Sequence, residues 1–181
     1  MNKEEYRKWF LGLVCSDLYK LPLKNYCEIG EKDEKQLELF ENALNPNIVK
    51  NVPNLFTQLE KSVDVYHSDL SLDSLPSELD ILYIDTKTLI DSKLLGKIEN
   101  IMHDLSLLFV LSTSTINEMV KITQEGGSIQ PIKVLKVRID NKCFNLFVLS
   151  KNFDAINQSE YRMENLLDFE KNERGVINEN N

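Results

Sequence analysis

Apolar positions recur along this chain at two different spacings. Near the N-terminus Tyr6, Trp9, Phe10, Leu13, Val14 and Leu18 lie three or four residues apart on one stripe, which predicts a helix ended by Leu21-Pro22. The short run from Asn25 to Ile29 then predicts a strand. Leu37, Phe40 and Leu44 predict a helix over about 33–44, stopped by Asn45-Pro46-Asn47. A short strand over Ile48–Val52 and a helix from near Pro53 follow, on a weaker pattern. The segment "SVDVYHSDLSLDSLPSELDILYIDTKTL" is clearer: a strand at Val63–His67, a polar connection closed by Pro76, and a strand at Asp80–Ile84 ending on Asp85. This last strand is almost continuously apolar, as expected where helices cover both faces of a sheet.

Ile90, Leu94, Ile98 and Ile101 predict a helix over about 89–102, and "LSLLFVLST", the most apolar run, predicts the strand at the sheet's centre. Thr115 and Glu118 have the spacing of a capping box before a helix carrying Ile116, Met119 and Val120, which Gly126-Gly127 ends. Two β-rich runs close the pattern, Ile132–Ile139 and Cys143–Leu149. Their link, Asp140-Asn141-Lys142, is too short for a parallel crossover, so they form an antiparallel hairpin. Alternating strand and helix then imply an α/β fold: a doubly wound, mostly parallel sheet flanked by helices and closing with that hairpin. The chain divides into an N-terminal amphipathic helix (1–22), the α/β domain (23–153) and an acidic segment (154–181). The last holds seven acidic and three basic residues, half of the net charge, and reads as a short helix or coil followed by a disordered tail.

Composition narrows the function classes. At 181 residues, 42% apolar and 28% charged, the chain suits one globular domain with a real core. No apolar run approaches the roughly 20 residues of a membrane helix, and "MNKEEYRKWF" lacks the features of a signal peptide, so a cytoplasmic location and no membrane partner are expected. The net charge of −8 opposes general nucleic-acid binding, which needs a basic surface. Cys15, Cys27 and Cys143 are scattered without metal-type spacing and fit reduced thiols, with Cys27 buried. No nucleophile elbow, phosphate loop, zinc spacing or paired-glutamate arrangement is present.

The stretch "NYCEIG", together with "HSDLSLDSLPSELDILYID", resembles the class I S-adenosylmethionine-dependent methyltransferase family, in its first strand with a glycine turn and in its third and fourth strands. The resemblance covers about 25–153. It implies a site beyond the carboxyl ends of the strands for S-adenosylmethionine, with Glu28 and Gly30 at the cofactor's amino-acid end, Asp69 and Leu70 facing the adenine, and Asp85 beside the methyl group or substrate. His67, at a strand end, is the candidate general base, histidine being the side chain most often used for that task. No metal is expected: the fifth strand ends in Ser112-Thr113-Ser114, which offers no carboxylate to join Asp85. His103 and Asp104 precede that strand, so they fall at the opposite end of the sheet from Asp85 and are read as helix-ending or loop residues.

The sequence also departs from the family. Its glycine turn reads Gly30-Glu31-Lys32-Asp33 where two or three glycines are usual, and "NIVKNVPNLF" has only asparagines where an acidic residue would meet the ribose. Two functions are therefore open: methyl transfer from S-adenosylmethionine to a small-molecule acceptor, or a non-catalytic module scaffolding a protein partner, with Tyr6, Trp9 and Phe10 as its contact surface. A flavodoxin-like or receiver-like protein is a lesser alternative, opposed by the closing hairpin.

Overall fold

A computed structural model of the chain describes residues 1–20, 25–44 and 63–158. Within them six strands form one sheet: β1 (Asn25–Ile29), β2 (Asp64–Ser68), β3 (Leu79–Ile84), β4 (Met102–Ser112), β5 (Gln130–Ile139) and β6 (Lys142–Ser150). Their spatial order is β2-β1-β3-β4-β6-β5. The first four run parallel, and β6 returns antiparallel between β4 and β5. The apolar β4 does lie centrally. The hairpin turn is tighter than its three-residue link implied, because Asp140 and Asn141 both take positive φ (47° and 65°) and make a two-residue turn whose twist suits the flanking strands.

Helices cover both faces. Helix α1 (Lys3–Lys20), α2 (Glu34–Leu44) and α5 (Phe153–Gln158) share one core with the sheet, built on Phe10, Val14, Tyr26, Phe40, Phe109 and Ile156. Helix α3 (Ser92–Glu99) and α4 (Ile116–Glu125) pack on the other face, where Leu94, Leu95, Ile98 and Met119 meet Leu82, Ile84 and Leu108. Because α2 follows β1 on one face and α3 follows β3 on the other, the winding reverses between β1 and β3. In open α/β sheets ligands bind in the crevice at that reversal, beyond the carboxyl ends of the strands.

Helix α1 belongs to the core. Phe10 packs on Tyr83 (ring centroids 4.6 Å apart) and edge-on against Phe109 (5.2 Å), and Tyr26 stacks on Phe40 at 4.2 Å. The aromatic stripe of α1 therefore faces the protein's own sheet: Tyr6 and Phe10 are buried and Trp9 is partly buried against the same core. Capping sets the other helix boundaries. Thr115 and Glu118 form the expected reciprocal box. Asp91 caps α3 by accepting the Leu94 N–H at 2.7 Å, so this helix begins three residues later than its apolar spacing suggests, and it ends at Glu99.

Two further points of the sequence reading concern the second and third strands. The expected strand over Ile48–Val52 and the helix from Pro53 lie outside the described residues. The strand that the resemblance counts as third, β2, runs directly beside β1, pairing Glu28 with His67 and Ile29 with Ser68. In a doubly wound sheet of order 3-2-1-4-5-6 that position belongs to the second strand. The residue just past β2, Asp69, is thereby brought alongside the glycine turn.

Candidate functional site: the crevice beyond β1 and β3

Gly30 follows β1 at φ 112°, a conformation that favours glycine, and its N–H donates to the Ser68 carbonyl at 2.9 Å. The Gly30 carbonyl accepts in turn from Nε2 of His67 at 2.9 Å. The imidazole expected to act as a base is thus engaged with the backbone of the glycine turn. Across the crevice, the segment after β3 makes its own tight turn: Asp85 Oδ1 accepts from the Thr86 N–H at 2.6 Å, and the Thr88 N–H donates to the Asp85 carbonyl at 3.1 Å. This turn reaches over Gly30. A methyl group added to Gly30 would overlap the Thr88 hydroxyl, and Lys87 forms an ion pair with Glu31 at 2.9 Å.

The open space here is a cleft of about 400 Å³ lined by Lys3, Arg7, Glu31, Lys32, Asp33, Glu34, Asp85 and Lys87. Every lining residue is charged, and each of the four cations has an acidic partner. Asp33 is the hub. It caps α2 through the Gln36 N–H (3.1 Å) and takes ion pairs from Arg7 (2.5 Å) and Lys3 (2.8 Å). Burial works against ionisation of Asp33, but hydrogen bonds from Arg7, Lys3 and the Gln36 N–H outweigh it and hold the carboxyl at about 2.

Glu28 lies beneath this cleft, in register with Tyr83 and on the face shared by α1 and α2. It is 4% exposed, and its Oε2 is buried without a hydrogen-bond partner. Burial pushes its carboxyl up to about 8. The negative fields of Asp33 and Asp85 add to this, and Gln36 and Arg7 oppose it. Burial likewise raises the Cys27 thiol to about 12, as befits a structural cysteine.

Two more concave regions lie at this end of the sheet, the first of them sharing Asp85 and Lys87 with the cleft. Toward the hairpin, Tyr6, Tyr83, Leu111, Ile139 and Phe144 wall a pocket of about 210 Å³, with Asp85 and Lys87 on the side shared with the charged cleft. Within it the Tyr6 and Tyr83 hydroxyls meet at 3.2 Å. On the opposite side a groove of about 170 Å³ runs between the end of β2 and α3, lined by Leu70, Leu89, Asp91, Lys93, Leu94 and Lys97. Leu70 is 46% and Leu89 85% exposed, so both apolar side chains are open to solvent on this groove. Asp69 beside them is an exposed turn residue whose Oδ1 accepts from Ser71 N–H (2.8 Å) and hydroxyl (2.5 Å), which lowers its pKa.

Of the expected site residues, Asp85 lines both the charged cleft and the aromatic pocket, Leu70 lines the separate groove beside α3, and Gly30 and Asp69 stand at the turns after β1 and β2, whereas Glu28 is buried beneath the cleft and His67 braces the Gly30 carbonyl. Arg7, Thr88 and Leu89 were missed. The Asp33/Gln36 spacing resembles a helix cap and could have flagged Asp33; nothing in the local pattern marks the other three. His103 is corrected too. It lies in a bulged start of β4, where Nδ1 accepts the Leu105 N–H (3.1 Å) and Nε2 donates to Asp80 (2.7 Å). Among the described residues no cluster of His, Cys, Asp and Glu side chains is arranged to hold a metal, and no helix is long and apolar enough to cross a membrane.

No family model matches the chain, and no curated protein matches it in sequence. Solved structures do match. A magnesium protoporphyrin IX methyltransferase from Synechocystis PCC 6803, with bound SAM, aligns over 81% of this chain and 78% of its own, at 8% identity and a TM-score of 0.50. A tRNA methyltransferase from B. subtilis aligns over 81% of this chain and 68% of its own, at 14% identity and a TM-score of 0.44. LepI, solved with SAH and a substrate analogue, is longer: the chain spans 43% of it, with 71% of this chain covered, at 10% identity and a TM-score of 0.46. The likeness to the first of these, over about four fifths of each chain, is one of fold: with its helix-flanked, mostly parallel sheet and closing hairpin, the chain has the fold of the class I S-adenosylmethionine-dependent methyltransferases.

Proposed function

We propose that this is a methyltransferase-like protein that takes the adenosyl part of S-adenosylmethionine in its crevice and serves a small-molecule acceptor. One observation carries the reading: Asp85 borders both the crevice and the aromatic pocket beside it. It therefore stands where donor and acceptor would meet. Methyl transfer needs chiefly in-line positioning of the two, helped by a base, so one carboxylate at that boundary suits the chemistry. S-adenosylmethionine, when bound, supplies an electrophilic methyl group. Asp85 would accept or orient the proton of the acceptor, and His67, through the Gly30 carbonyl, would hold the glycine turn in place.

The residues fit the cofactor unequally. At the adenosyl end, Leu70 and Leu89 offer apolar faces to a purine, and Asp69, one residue beyond the strand beside β1, suits the ribose hydroxyls. At the amino-acid end Thr88 occupies the space beside Gly30, and Glu28 is enclosed. The pocket toward the hairpin, about 210 Å³, suits a small acceptor better than a macromolecule, and the net charge of −8 agrees.

The closed amino-acid end also favours a second reading, a module that keeps the fold without the transfer. Calorimetric titration with S-adenosylmethionine separates the two. The first reading expects saturable binding, which Leu70→Asp abolishes, and product formation with a small acceptor, which Asp85→Ala reduces at least a hundredfold. Folded protein that gives no heat with any adenosyl ligand would leave the scaffold reading standing.

A further inference from the structure

The turn after β3 is held down at two points. Thr88 packs onto Gly30 so closely that no side chain could stand there, and Lys87 crosses to Glu31 at 2.9 Å. It is also internally braced by Asp85, whose carboxylate and carbonyl accept from Thr86 and Thr88. Glycine at such a position ordinarily lets backbone approach a ligand. Here the approaching group is the chain's own hydroxyl.

We propose that this turn, residues 85–90, is a latch over the amino-acid end of the crevice. With the latch closed, the adenosyl groove between Leu70 and Leu89 is open while the space beside Gly30 is filled, so a nucleoside enters freely and an amino-acid tail enters only when the turn lifts. The inference rests on the adenosyl-binding reading above and adds its regulation. The latch is light. Both partners of the Lys87–Glu31 pair are more than half exposed, and such pairs add little in water. The main obstruction is the Thr88 side chain. Leu89, at 85% exposure, lies on the same turn, so lifting the turn would also move one wall of the adenosyl groove.

Two ligands that differ only in the tail test this. 5′-Methylthioadenosine has the adenosine and the sulfur of S-adenosylhomocysteine without its amino-acid group. The latch predicts that the wild-type chain binds 5′-methylthioadenosine at least tenfold more tightly than S-adenosylhomocysteine. Thr88→Ala should tighten S-adenosylhomocysteine about tenfold and Lys87→Ala two- to fivefold, both leaving 5′-methylthioadenosine within twofold. Thr88→Ser, which keeps the hydroxyl, should behave as wild type. Equal or tighter binding of the longer ligand by the wild type overturns the latch and leaves the adenosyl reading intact. So does a preference for the shorter ligand that neither alanine variant changes. If wild type and variants, each shown to be folded by cooperative thermal unfolding, bind neither ligand, the adenosyl reading and the latch fall together.

Discussion

The two ends of the sheet treat their buried polar groups in opposite ways. At the amino end, Asp80 accepts the Asn25 N–H at 2.8 Å and the His103 ring at 2.7 Å, while Ser106 links the Leu79 carbonyl (2.6 Å) to the His103 N–H (2.8 Å). These donors meet acceptors and tie the bulge at the start of β4 to β3, although the Ser150 hydroxyl, buried near the same end, has no partner. At the carboxyl end, Glu28 is equally buried but keeps an unpartnered oxygen and a carboxyl driven toward the neutral form by burial and, secondarily, by two other acids. A buried group left in that condition costs stability. The Asp80 cluster thus holds the sheet together, whereas Glu28 is kept at a cost to the fold.

Glu28→Gln tests this contrast most strongly. The folded-state pKa of Glu28, about 8, lies above its ordinary value of 4.5, so between those two pH values the folded chain holds a proton that the unfolded chain has released. Stability must therefore fall as pH rises across that window, by about 1.4 kcal/mol per pH unit for one proton. Glutamine does not titrate. Urea unfolding from pH 5 to pH 8.5 should show the variant gaining on wild type by about 4 kcal/mol over the range. Parallel curves would mean that Glu28 is ionised and better solvated than its burial indicates.

At the amino end the sign reverses. Asp80→Ala leaves the His103 ring and the Asn25 N–H without their acceptor and should destabilise the chain by about 3 kcal/mol. Asp80→Asn, which keeps one acceptor oxygen, should recover part of that. Neither change should alter ligand binding, because these residues are at the far end of the strands from the crevice. A loss of binding in well-folded Asp80→Asn would erase the distinction between the two ends.

How far the sequence foretold this contrast follows from what periodicity records. Apolar spacing reports burial, so β3, the central β4, and the inward Leu37 and Phe40 of α2 were legible. Local chemistry reports turns and caps, so the Thr115–Glu118 box, the Asp140–Asn141 hairpin and Gly30 were legible as well. Neither signal names the partner of a buried charge. Arg7 is on the buried side of α1 because Asp33, 26 residues later, meets it, and Asp80 is buried because its partners come from the starts of two other strands. The Thr88–Gly30 contact joins residues 58 apart and has no local trace. The fold was therefore more readable than the site, whose character depends on long-range pairing.

Asp33→Asn sharpens the comparison within the carboxyl end, where Asp33 is the well-partnered counterpart of Glu28. The folded-state pKa of Asp33, about 2, lies below its ordinary 3.8, so its stabilising effect is present above pH 4 and is lost as pH falls toward 2. Because solvent screens a partly exposed carboxyl, the asparagine variant should be less stable by only about 1 kcal/mol at pH 7, and the difference should shrink below pH 4. Asparagine caps α2 as well as aspartate does, so a pH-independent difference would mean that the charge of Asp33 and its pairs with Arg7 and Lys3 do not carry the loss.

The smallest effect on stability belongs to Asp69. It is exposed and bonded only within its own turn, so Asp69→Ala should leave the urea unfolding midpoint close to that of wild type. Its place beside the glycine turn gives it a larger part in binding, and 5′-methylthioadenosine affinity should fall about tenfold as one charge-assisted acceptor is lost. The ratio of the two effects is the informative quantity. A residue that serves the turn alone would move stability and leave affinity untouched, whereas one that meets the ribose moves affinity and leaves stability untouched. That would put Asp69 among the groups kept for a ligand and not for the fold.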